Sequence, residues 1–86
     1  MRSSTEKTSC VAAIGGMSPT VRAQRVLLAA GIAAEVVGLS PSETRRGCAF
    51  GLRFACESAA AVREALRRAR ISPSEYLERK PYRDLS

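Results

Sequence analysis

The alternation of apolar and polar positions divides the chain into short elements separated by Gly, Ser and Pro. Residues 8–14 form an apolar run closed by Gly15 and Gly16, which predicts a buried first strand with a tight exit. Ser18 and Pro19 then predict a helix start, because a Ser side chain can accept from free N–H groups and Pro at the first helical position loses no hydrogen bond. Ala23, Val26, Leu27 and Ala30 recur on one face of that helix, with Arg22 and Arg25 on the solvent side. Gly31 suits the left-handed residue that ends such a helix, with Ile32 folding back onto Leu27.

A Val-rich stretch over residues 34–39 predicts a second strand, broken by Ser40, Pro41 and Ser42. From 49 to 56 the alternation is clean: Phe50, Leu52, Phe54 and Cys56 share one face, and Ala49, Gly51, Arg53 and Ala55 the other. Ser58 can cap a second helix reaching about Arg70, with Val62, Ala65, Leu66 and Ala69 inward. Its arginines, Arg63, Arg67, Arg68 and Arg70, read as a solvated face whose cations suit the helix C-terminus. Beyond Ile71, Tyr76 and Leu77 belong either to a short edge strand or to a segment packed on the sheet, since Pro73 excludes a central strand. The order β-α-β-β-α, with a fourth strand left open, predicts an α+β domain of the ferredoxin-like, split βαβ type with both helices on one face of the sheet. The single domain spans residues 8–77, residues 1–7 read as a disordered N-terminal segment, and residues 78–86 read as a flexible C-terminal tail.

Composition narrows the function classes. Eighty-six residues allow one modest core and no separate cofactor-binding domain. The first apolar run is far too short for a signal-peptide core or a membrane span, which predicts a cytoplasmic protein. Three cysteines without a CxxC pair, in a chain without histidine, predict no zinc site. The thiols are expected to be reduced, with Cys10 and Cys56 as inert core residues. A formal charge of +6 favours anionic partners without choosing among nucleic acid, phosphorylated metabolites and acidic protein faces.

The remaining cysteine, Cys48, falls in the loop between strands two and three. In this topology strands one and three are neighbours, so the loop emerges beside the Gly15-to-Ser18 turn at the start of the first helix. Cations at Arg45 and Arg46, the positive end of the helix dipole and N–H groups freed beside Gly47 would each favour the thiolate. Gly47 and the small Ala49 also leave room for a partner protein. The bland alternative is an ordinary loop cysteine beside a hairpin glycine.

The stretches 18–32 (from Ser18-Pro19-Thr20 to Gly31-Ile32), 36–41 (Val36 to Pro41) and 45–54 (Arg45-Arg46-Gly47-Cys48-Ala49-Phe50 onward) resemble the family of selenium/sulfur carrier protein-like domains. The likeness covers about residues 9–76. The family's motif commonly reads Gly-Cys-Gly, and Cys48 is the cysteine that falls on it, with Ala49 in place of the second Gly. The resemblance implies a carrier that holds sulfane sulfur or selenium on Cys48 as a persulfide or selenopersulfide. It further implies a donor enzyme and an acceptor protein as partners, no bound metal or cofactor, and no catalysis by the domain itself. Arg45 and Arg46 would stabilise the thiolate or dock an acidic donor surface, with Gly47, Ala49 and Ser18 in support.

Two other readings use no cysteine chemistry. A nucleic-acid-binding sheet would use the positive charge and exposed aromatics, yet Phe50 and Phe54 are more simply explained as facing the helices. A regulatory or assembly module would pair sheets or helices with a copy of itself and bind a small ligand at Gly15 and Gly16, a turn that lacks the patterns of phosphate-binding loops.

Overall fold

The computed structural model describes residues 9–44, 47 and 49–79. The element order is β1 (Ser9–Gly15), α1 (Met17–Ala29), β2 (Glu35–Gly38), β3 (Phe50–Ala55), α2 (Ala59–Arg68) and β4 (Glu75–Arg79), with short 3-10 turns at Pro41–Glu43 and Cys56–Ser58. The strands form one sheet in the order β2-β3-β1-β4, and every ladder is antiparallel. The fold is therefore α+β and compatible with the ferredoxin-like sandwich expected from the element order. Among the described residues no helix is long and apolar enough to cross a membrane.

The helix-side core joins Ala12, Leu52 and Phe54 of the sheet to Ala23 and Leu27 of α1 and Val62 and Leu66 of α2. A smaller cluster on the opposite face holds Val11, Ala13 and Leu39, with Val37 and Leu77 against it. β1 is thus covered on both faces, which is why its sequence is a continuous apolar run and not an alternation. β4 forms as the edge strand beside β1, and Pro73 stays outside it. The strand includes Glu78 and Arg79, two residues assigned to the tail by sequence alone.

Both helices end in the same way. After α1, Gly31 takes φ +81°, its N–H donates to Leu28 O at 3.0 Å, and the N–H of Ile32 donates to Leu27 O at 2.9 Å. After α2, Arg70 takes φ +60°, with the equivalent bonds from Arg70 to Arg67 O and from Ile71 to Leu66 O at 3.0 and 2.9 Å. These are Schellman closures, which satisfy carbonyls that would otherwise lack partners.

Two expectations are corrected. Ser18 does not cap α1: the cap position is Gly16, the helix starts at Met17, and no side chain bonds the first N–H groups. Pro19 does not mark the first position because the whole first turn lacks N–H partners, so Pro is tolerated there as well. What anchors this turn is the buried Thr20, whose hydroxyl donates to Gly16 O at 2.6 Å. Ser58 does occupy the cap position of α2, also without a side-chain bond.

The second correction concerns Cys10 and Cys56, which are joined by a disulfide and are not independent reduced thiols. Cys10 lies opposite Phe54 in the β1–β3 ladder, and Cys56 follows two residues later in the 3-10 turn. That turn carries Cys56 out of the strand alternation and sets the two Cα atoms 5.0 Å apart, within bridging range.

Candidate functional site

The β2–β3 connection is held in place along its first half. Leu39 donates its N–H to Ala49 O at 2.8 Å, closing the neck of the loop, and its side chain is buried against the second face of the sheet. The sequence Ser40-Pro41-Ser42-Glu43 forms a capping box: the Ser40 N–H and hydroxyl both donate to Glu43 Oε2 at 2.9 Å. Such a box needs an acceptor three residues after Ser, and Glu43 supplies it. Thr44 follows in extended conformation and is buried. From sequence alone Ser40-Pro41-Ser42 reads only as a break; the S-x-x-E spacing to Glu43 is the signal that could have found this anchored half.

Gly47 and Ala49 are exposed, and Gly47 takes φ +68°. A Cβ built at Gly47 would meet nothing within 4 Å, so glycine is required there by backbone sign and not by crowding. Cys48, Arg45 and Arg46 lie outside the described residues. Just past the loop, Phe50 pairs with Gly38 of β2 and with Gly15 at the end of β1. The loop base and the start of α1 therefore share one end of the sheet, as the topology predicts. Ser18 is exposed in the first turn of α1, and among the described residues no hydrogen bond joins it to the loop.

A cleft of about 710 Å³ runs between Ser42, Glu43 and Thr44 of this loop and Ser74 to Leu77 of the α2–β4 connection and β4. The disulfide lies at the other end of the sheet. Cys10 is five residues from Gly15 along β1, roughly 17 Å at the ordinary strand rise. The bridge is thus held well away from the loop base.

Several charges elsewhere are tied to neighbours. Glu64 accepts from Arg67 at 2.8 Å and from Arg68 at 2.9 Å, and these hydrogen bonds, Arg67 first, hold its carboxyl below the ordinary range. Arg53 pairs with Glu35 across β3 and β2. The Arg63 guanidinium lies 4.1 Å above the Tyr76 ring. Phe54 is buried under the helices, so it offers no stacking surface for nucleic-acid bases. Sequence reasoning missed the Cys10–Cys56 bridge, although the adjacency of strands one and three, which it did derive, was the signal that could have found it.

Residues 9–78 match the family model described as "Putative Se/S carrier protein-like". The matched region runs from the first residue of β1 to the penultimate residue of β4. Comparisons with curated proteins and with solved structures gave no match.

Proposed function

The chain belongs to the Se/S carrier protein-like family, and from that membership we propose that it carries sulfane sulfur or selenium on Cys48. One observation carries the choice of residue: of the three cysteines, Cys10 and Cys56 are bonded to each other, which leaves Cys48 outside the bridge. Its neighbours Gly47 and Ala49 are exposed, a setting that suits approach by a second protein. Arg45 and Arg46, close in sequence, favour the thiolate, the form of sulfur that attacks.

In the loading step the Cys48 thiolate attacks the outer sulfur of a donor persulfide. A new S–S bond forms on Cys48, the donor's S–S bond breaks, and the donor cysteine leaves as its thiolate. No outside oxidant or reductant is consumed. Discharge is the same exchange with an acceptor thiolate, and selenium can replace the outer sulfur. The domain then acts as the cargo-bearing substrate of other proteins and not as a catalyst.

Incubation with a cysteine desulfurase and cysteine should add the mass of one sulfur atom, removable by reductant and absent from Cys48→Ser. A Cys48→Ser protein that still gains the mass would sink the assignment to Cys48. Failure of the wild type to gain it from any persulfide donor would sink the carrier role.

A further inference from the structure

We infer that the C-terminal end of α2, with Arg67, Arg68 and Arg70, is a docking surface for an acidic protein face, that of the partner which hands sulfur to Cys48. The partner's identity rests on the carrier reading; the surface rests on three separate features of the fold.

The first is the residue at position 70. The two helices close with the same Schellman geometry, yet one uses Gly31 and the other Arg70 at the left-handed position. A side chain with a Cβ is disfavoured there, and Arg lacks the short polar group that lets Asn or Asp tolerate it. A cation does suit a helix C-terminus, but Arg67 and Arg68 already supply one in the last turn, so a guanidinium placed on the exposed left-handed residue as well points to a use outside the fold.

The second is charge. By count, the two helices and the cap of α2 carry six arginines, Arg22, Arg25, Arg63, Arg67, Arg68 and Arg70, against the single carboxylate of Glu64. The side chains of Arg67 and Arg68 are 73% and 77% exposed, and both already grip one carboxylate, Glu64. Guanidinium forks match carboxylates in this bidentate way. A second copy of the chain would bring like charge to like charge. A phosphate track would be interrupted by Glu64, and Phe54 is too buried to stack bases.

The third is position. α2 ends, and β4 begins, at the sheet end that carries the 39–49 loop: Ser74 donates its N–H to Ala13 O at 2.9 Å, next to where Gly15 meets Phe50. Ser74 shares a cleft with Thr44, four residues before Cys48. A protein seated on the α2 arginines therefore lies at the same end of the sheet as the base of the 39–49 loop, where Leu39 bonds Ala49.

The test uses the full chain, the variant Arg70→Gly, and the triple variant Arg67→Gln, Arg68→Gln, Arg70→Gly, with a cysteine desulfurase as the binding probe. Arg70→Gly should raise Tm by roughly 4 °C or more, as relief of a left-handed non-glycine residue requires in a domain of this size. The triple variant should bind the desulfurase about tenfold or more weakly at low salt and lose most of the salt dependence shown by the wild type. Unchanged desulfurase binding by the triple variant, or no rise in Tm for Arg70→Gly, overturns the inference. Weaker binding to a single-stranded RNA oligonucleotide with desulfurase binding intact overturns it in favour of nucleic acid. Loading of Cys48 from a small-molecule persulfide should proceed at the wild-type rate in both variants, and its absence from the wild type would overturn the carrier reading instead of the surface.

Discussion

Cys10 and Cys56 are bonded to each other at the end of the sheet opposite Gly47 and Ala49, tying the start of β1 to the exit of β3. The bridge encloses a sequence separation of 46 residues, and a loop of that length restricts the unfolded chain by roughly 2–4 kcal/mol. The double variant Cys10→Ser, Cys56→Ser should lose stability of that order in a denaturant titration, while Cys48 still accepts sulfur. Alkylation of native protein without reductant should modify one cysteine, and reduction under denaturing conditions should expose all three. Three equivalents taken up by the untreated protein would show that the bridge does not form in solution.

Gly51 of β3 pairs with Ala13 of β1 and lies against the second apolar cluster. A Cβ there would lie 2.7 Å from Ala12 O and 2.9 Å from Val11 Cγ1. The carbonyl belongs to a strand paired on both sides, so it has little freedom to retreat. Gly51→Ala should destabilise the domain by about 1–3 kcal/mol, the usual range for overpacking, measured as a shift of the denaturant midpoint. A neutral effect would mean that β1 and β3 separate there more easily than their register indicates.

Tyr76 supplies a pH dependence. Burial raises its hydroxyl above the ordinary tyrosine value, against a smaller opposing effect of the Arg63 charge. The unfolded chain therefore gives up this proton at lower pH than the folded one. Its contribution to stability is complete below about pH 10 and is lost as pH rises through the folded value. Tyr76→Phe keeps the ring under Arg63 and removes the titration, so it should flatten the alkaline limb of the stability curve. An identical alkaline limb in the variant would assign that loss to other groups.

Much of the architecture was legible before any coordinates. Gly31 and Ile32 announced the closure of α1, because a left-handed position after an apolar helix face leaves few alternatives to glycine. Leu52 and Phe54 announced the helix-facing side of β3 through their two-residue period. The open question at Tyr76 and Leu77 was settled by pairing with β1, a long-range contact that local propensity does not encode. Ser18 misled because capping propensity is a local preference, whereas the start of α1 follows the burial of Thr20, Ala23 and Leu27.

What the sequence determined by itself is whatever depends on neighbours along the chain: the periodicity of the strands and helices and the helix stop at Gly31. The tertiary structure alone decided what depends on approach between distant segments. Cys10 and Cys56 become partners because β1 and β3 run side by side and a 3-10 turn redirects the chain at Cys56. Gly51 becomes obligatory because the backbone of β1 lies against it. Arg70 becomes conspicuous once its left-handed φ is seen beside that of Gly31. Each depends on distances and dihedral angles that arise only when segments far apart in sequence pack together.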